Sequence, residues 1–389
     1  MRHYWIIAGE TSGDIYGARL GRELIEIGRR QGEEVRISGM GGPAMREAGF
    51  DIKVDSSELG VMGFYEVLGL LGTFVRIFFR LLKAAAAERP TAVILIDYPG
   101  FNLRFAKRLH RLGIPVIWYV SPQVWVWGKR RLPVLAEVCS KMLVIFPFEV
   151  EVYRPTGLAA EFVGHPLIDL YRERCDLSIV RDPDLFLLLP GSRKMEVTRL
   201  LPRMLATIAE VAKRHPRLRF VLTSPRERIT DLCRAMYDDF RRRHPETPPV
   251  EIVTGRSAEF QQRAGTGLAA SGTVTVEAAI AGLPLVVVYR MNYFTLLIGA
   301  VLVKLYRGFF TMTNIIAGRM VYEEFLQWRV APAHLVPAVE RILPGGARRR
   351  EVEQGMDEVR QLLEPARDSA LRQAAESCWS LPADGRGKM

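Results

Sequence analysis

Tyr4-Trp5-Ile6-Ile7-Ala8-Gly9-Glu10-Thr11-Ser12-Gly13-Asp14 runs a short, unbroken apolar stretch into a glycine-bounded polar turn. Apolar residues in a row, without alternation, read as a strand buried on both faces, and Gly13–Gln31 behind the turn reads as a helix. The same grammar recurs. Strand-like runs follow at Val35–Gly39, Ala92–Ile96, Pro115–Val120, Met142–Phe146 and Glu161–Val163, with helical segments such as Asn102–Leu112 between them. It then restarts at Leu185–Leu189, Leu218–Thr223, Val250–Val253, Thr266–Ala270 and Leu283–Tyr289. Strands alternating with helices imply parallel sheets covered on both faces. Two such series predict an α/β chain of two Rossmann-like domains, 1–165 and 166–345, with the boundary in the 164–182 segment. The charged remainder, 346–389, lacks strand signals and reads as a helical tail with one stop at Pro365.

Bulk properties narrow the class. The 389 residues exceed one ordinary core. With 49% hydrophobic and 25% charged residues the composition is globular. Cys139, Cys175, Cys233 and Cys378 are scattered, without the pairing of a zinc site or a disulfide framework, which fits a reducing compartment. The N-terminal MRHYWIIAGE lacks the apolar core of a signal peptide, so the expected location is cytoplasmic. A net charge of +11 points to an anionic partner. No nucleic-acid module is visible, and aromatics are not interleaved with basic residues, so no nucleic-acid partner is expected. Two apolar runs, Leu59–Leu82 with Arg76, Arg80 and Lys83, and Tyr293–Val303 with Lys304 and Arg307, fall short of the roughly 18–20 uninterrupted residues of a spanning helix. They fit either interfacial elements facing anionic lipid or buried core helices.

Five motifs carry chemistry. Gly9–Asp14 exposes backbone N–H groups at a helix start, suited to an anion or a sugar oxygen, although Ser12 or Asp14 also suits a cap. It is not a dinucleotide fingerprint. Asp97, in Leu95-Ile96-Asp97-Tyr98-Pro99-Gly100-Phe101-Asn102, ends a buried strand where open α/β sheets meet ligands, and a carboxylate there suits a general base. Asn102 is the better-placed cap for the helix that follows. Tyr119–Gly128, with Gln123, Trp125 and Trp127 ahead of Lys129, Arg130 and Arg131, suits a phosphorylated sugar. Pro190-Gly191-Ser192-Arg193 with Glu196 places an arginine for two-point phosphate contact. Ser271-Gly272-Thr273 opens a helix whose N-terminus suits a diphosphate, with Glu277 one turn on, in reach of ribose hydroxyls.

Taken together and in order, the motifs carry a resemblance. GETSGD (9–14), GVMGFYEVL (60–68), IDYPGFN (96–102), YVSPQVWVW (119–127), FVGHPLID (162–169), LLPGSR (188–193), SGTVTVE (271–277) and TNIIAGR (313–319) resemble the successive signatures of lipid-A-disaccharide synthases, fading after about residue 330. One departure is Thr313, where the family's pattern has proline.

The resemblance implies a GT-B arrangement, two Rossmann-like domains facing across a cleft, and an inverting, metal-independent hexosyltransferase without cofactor. Its substrates would be UDP-2,3-diacylglucosamine and 2,3-diacylglucosamine 1-phosphate (lipid X). It places Ser192, Arg193, Ser271, Gly272, Thr273, Glu277 and Asn314 around UDP, and Glu10, Ser12, Gln123 and Trp125 on the acceptor side. Asp97 and Arg193 would be catalytic. Peripheral attachment to an anionic inner-membrane surface and a homodimer are implied likewise. The rival readings are another GT-B UDP-sugar enzyme, such as a UDP-GlcNAc 2-epimerase or a lipid-linked glycosyltransferase, and a non-catalytic paralogue that binds UDP-sugar or lipid.

Overall fold

A computed structural model of the chain describes residues 1–56, 67–125, 128–176, 178–290 and 308–382. The 60–66 part of one motif, the start of the first apolar run, the whole second apolar run and Trp127 lie outside the described residues.

The chain divides into two compact units, Met1–Asp169 with Leu363–Met389, and Leu170–Leu362. The first holds β1 (Arg2–Ala8), β2 (Val35–Gly41), β3 (Asp51–Asp55), β4 (Ala92–Ile96), β5 (Val116–Tyr119), β6 (Lys141–Val144) and β7 (Ala160–Phe162). They pair in parallel in the order β3-β2-β1-β4-β5-β6-β7. The second holds β8 (Asp182–Leu189), β9 (Arg219–Ser224), β10 (Val250–Thr254), β11 (Ala264–Ala270), β12 (Leu285–Tyr289) and β13 (Glu323–Leu326), parallel in the order β10-β9-β8-β11-β12-β13. These are the two doubly wound sheets that the alternation predicts. The edge strands β3 and β13 were not legible, because DIKVD and EEFL are too polar to read as core strands.

Each sheet is buried because helices cover both faces. Within the first, Trp5, Ile7, Val93, Leu95, Val116 and Trp118 enter one core. The helix Thr11–Arg30 lies close against the sheet through a glycine face: a Cβ on Gly21 would fall 2.5 Å from the Phe50 ring. Asp14, three residues into this helix, does not cap it. Its carboxylate accepts from Gly42 N (2.7 Å), Ala44 N (2.9 Å) and Met45 N (3.1 Å), and so caps the short helix Pro43–Glu47 after β2.

The C-terminal 346–389 segment, expected as one tail, is shared between the units. Helix Arg349–Leu363 belongs with the second unit, and helix Ala370–Trp379 packs on helix Thr11–Arg30 of the first. The second docking has a polar lock and an aromatic one. Asp169 accepts from Ser369 Oγ (2.8 Å) and Leu371 N (2.9 Å), and the Arg2 guanidinium lies 3.9 Å from the Trp379 ring. No helix among the described residues is long and apolar enough to cross a membrane.

Candidate active site

Strand order explains why distant motifs meet. In the first sheet the order reverses between β1 and β4, so the turns leaving their carboxyl ends border one crevice, where ligands enter such sheets. Those turns are Gly9–Asp14 and Asp97–Gly100. In the second sheet the reversal falls between β8 and β11, whose following turns carry Ser192-Arg193 and Ser271-Gly272-Thr273.

Asp97 sits at the first reversal in a strained backbone. Asp97 (φ 45°) and Tyr98 (φ 48°) are both left-handed, and so is Val120 (φ 64°) beyond the neighbouring β5. Left-handed non-glycine residues cost energy and gather where a site demands them. Tertiary bonds hold this turn. Asp97 N donates to Tyr119 O (3.1 Å), and the buried Asn102 amide donates to the carbonyls of Asp97 (2.7 Å) and Ile96 (3.3 Å). Asn102 is therefore not the expected cap. Helix Pro99–Arg111 starts at Tyr98 without a side-chain cap, and Asn102 anchors the strand end from inside its first turn.

Burial, and then the nearby Glu10 charge, raise the Asp97 carboxyl to about 6. A carboxylate so tuned is ionised at neutral pH yet basic enough to accept a proton. Glu10 and Ser12 are exposed at the start of helix Thr11–Arg30, which has no side-chain cap. Gln123 is exposed. Trp125 is partly buried, with its indole N–H donating to Glu149 Oε1 (3.3 Å).

In the second unit Ser192 and Arg193 are exposed after β8. The Glu196 carboxylate caps this turn, accepting from Ser192 N (3.2 Å) and Arg193 N (3.3 Å), while the Arg193 guanidinium is only loosely paired with it (3.8 Å). Arg193 is thus free to turn to an anion. Gly272 and Thr273 are exposed at the start of helix Thr273–Ile280, which has no side-chain cap, and Ser271 Oγ donates to Phe310 O (3.4 Å). A helix start left open in this way offers N–H groups and a partial positive charge to phosphate. The Glu277 carboxyl is raised by burial and bonded to Gln261, with Arg174 opposing the shift.

Asn314 takes a different role from the one expected. It is fully buried: its Oδ1 accepts from Val321 N and Tyr322 N (both 2.9 Å), and its Nδ2 donates to Tyr322 O (2.8 Å). With these groups engaged, and a further side-chain bond to Glu324, it braces the loop before β13. Thr313, where proline was expected, lies with Asn314 in the short helix Met312–Ala317; it donates to Thr275 O (2.9 Å) and so ties that helix to the Thr273 helix.

Sequence reasoning missed Glu149. It follows the apolar β6 run by a few residues, as Asp97 follows β4, and that placement was the available signal.

Two doubly wound parallel sheets, each with one strand-order reversal, have the GT-B fold, which glycosyltransferases share with UDP-N-acetylglucosamine 2-epimerases. Solved structures share the fold. They include MnaA of S. aureus with UDP (TM-score 0.63, 11% identity, 96% of this chain and 94% of that one) and the glycotransferase of kitacinnamycin (TM-score 0.64, 18% identity, 98% and 99%). The lipid-A-disaccharide synthetase profile matches residues 4–378, and the chain belongs to that family. It is 36% identical to the lipid-A-disaccharide synthase of Myxococcus xanthus over 98% of each chain, and 37% identical to that of Anaeromyxobacter dehalogenans over 95% of each.

Proposed function

We propose that the protein transfers 2,3-diacylglucosamine from UDP to the 6-hydroxyl of lipid X, with Asp97 as general base. The carrying observation is the Asp97 turn: a strained, partly buried carboxyl at a strand-order reversal, raised to about 6. The acceptor oxygen attacks the anomeric carbon and gives its proton to Asp97. The bond from that carbon to the phosphate oxygen breaks, and UDP leaves with the electron pair. Arg193 and the open N–H groups of the Thr273 helix stabilise the charge that develops on the diphosphate. Ser192, Ser271 and Gly272 complete that pocket and Glu277 meets the ribose, with Asn314 acting through the loop it braces. Glu10, Ser12, Gln123 and Trp125 meet the acceptor. The UDP in the MnaA structure supports the nucleotide half of this reading.

The lipid half is supported by helix Val67–Glu88. Val75 and Phe79 are about half exposed beside exposed Arg76, Arg80 and Lys83, which suits an anionic membrane surface. Phe78 on the same helix contacts Phe101 (5.5 Å), and Phe101 stacks on Tyr98 (6.0 Å), next to Asp97. A packed row of aromatic rings thus couples the greasy helix to the turn that carries the base. The reading includes peripheral inner-membrane attachment, tested by vesicle co-sedimentation of Phe79→Ser, and a homodimer, tested by light scattering.

The decisive experiment incubates the protein with UDP-2,3-diacylglucosamine, lipid X and EDTA and seeks the disaccharide 1-phosphate by mass spectrometry. Product from the wild type, with a loss of about 100-fold or more in Asp97→Asn that still binds UDP, is expected. No product from the wild type across several acyl lengths would overturn the reading.

A further inference from the structure

Glu149 is a carboxyl in an apolar box. It is 1% exposed. Trp125 Nε1 donates to its Oε1 (3.3 Å), and Phe146 N donates to its Oε2 (3.3 Å). The ring of Phe148 meets Trp125 edge-on (5.1 Å) and stacks on Phe146 (5.7 Å), which in turn packs on His165 (5.4 Å). Tyr153, one helical turn on, bonds through its hydroxyl to Ser121 Oγ (2.7 Å), so this helix holds the Ser121–Trp125 loop at both ends. Among the described residues no basic side chain is paired with Glu149, and its polar neighbours are Ser121, Trp125 and Tyr153. His165 is itself buried and neutral, its imidazole lowered to about 3.

We propose that Glu149 is a positioning residue for the acceptor, clamping the Ser121–Trp125 loop through the Trp125 indole in the shape that receives the sugar phosphate. This rests on the acceptor side assigned above. Burial pushes the carboxyl up to about 8, so at neutral pH it is mostly protonated and the clamp is uncharged. The donors Phe146 N, Trp125 Nε1 and Ser121 oppose that shift but do not outweigh burial. Charging the carboxyl in this apolar box, with no basic side chain among the described residues paired to it, draws in water, and the entering water loosens the loop. Acceptor capture therefore weakens as pH rises through about 8, while the nucleotide half, built in the other unit, is untouched.

The test measures initial rates of the full chain from pH 6.5 to 9.5 at saturating UDP-2,3-diacylglucosamine, with lipid X varied. For the wild type the acceptor KM rises about tenfold across pH 8, with kcat and UDP affinity steady. Glu149→Gln, which keeps an uncharged acceptor for the indole, retains the neutral-pH KM and loses the alkaline rise. Trp125→Phe, which removes the N–H and keeps a ring, raises the acceptor KM at pH 7 and also flattens the profile, and it carries the test should a Glu149 variant not fold. An alkaline rise that persists in Glu149→Gln, a wild-type profile with no rise, or a rise shared by the UDP affinity would overturn the clamp while leaving the synthase reading intact. Absence of product from the wild type would overturn both.

Discussion

The Tyr98 ring occupies the space that a side chain on Gly9 would need, so the two turns at the first strand-order reversal are packed on each other. Asp97 precedes Tyr98 in the same left-handed pair, so anything that lifts the ring displaces the carboxyl. Gly9→Ala is expected to fold, since the site is at a turn, and to lower kcat by about tenfold or more, because small misplacements of a reacting group are costly. Circular dichroism with single-turnover rates checks this.

Burial first, and Glu10 second, place the acid limb of the reaction. As a base Asp97 works ionised, so the rate falls as pH drops through about 6. Glu10→Gln removes a like charge and makes ionisation easier. The acid limb of kcat then moves to lower pH, whatever the change in acceptor affinity. A pH profile of the two proteins is the measurement, and an unmoved or raised limb contradicts the coupling.

Stability carries a second pH signature. The folded Glu149 carboxyl is raised, so the fold binds a proton that the unfolded chain has released, and stability falls as pH rises towards about 8. The buried His165 acts in the opposite sense but only below its unfolded pKa of 6.5, where the unfolded chain takes up the proton. Above the titration of His165 near pH 6.5 that opposing contribution ends, while the Glu149 effect continues to about 8. The wild-type melting temperature is expected to decline across this interval, and Glu149→Gln to flatten the decline.

Thr313 offers a test of the loop that braces the nucleotide side. Its hydroxyl is buried and donates to Thr275 O at 2.9 Å, so Thr313→Val loses that bond at nearly constant volume. A loss of about 1–2 kcal/mol in a denaturant titration is expected, with UDP affinity weakened through the shifted Thr273 helix.

Much of this architecture was legible because buried parallel strands carry their own signature. The runs at Tyr4–Ala8 and Leu185–Leu189 need no partner to be recognised, and the ligand-bearing turns follow from their carboxyl ends. What escaped depends on tertiary neighbours. β3 and β13 lie at sheet edges, where one side is unpaired and polar residues are tolerated. Asn102 looked like a cap because local sequence cannot show which backbone groups come within reach of an amide. Asp14 likewise caps a helix that begins 29 residues later. Glu149 escaped for the same reason: its place after the β6 run was a signal, but a glutamate after Phe-Pro-Phe reads as surface until the Trp125 loop closes over it. The tail read as helices with a stop at Pro365, where the break does fall, but nothing in their composition shows that the two helices pack on different units.

That division of the tail sets an order of assembly during synthesis. The second unit is continuous from Leu170 to Leu362, so it can close as soon as its own residues have emerged. The first unit, although begun earlier, waits for Ala370–Trp379, which follows the whole of the second unit in the chain, to cover helix Thr11–Arg30. Until then the face that Tyr4 and Arg2 present to Trp379 stays open. The unit assigned to the lipid is thus sealed after the other, and a nascent chain that stalls before Ala370 carries a finished second unit and an unfinished first one.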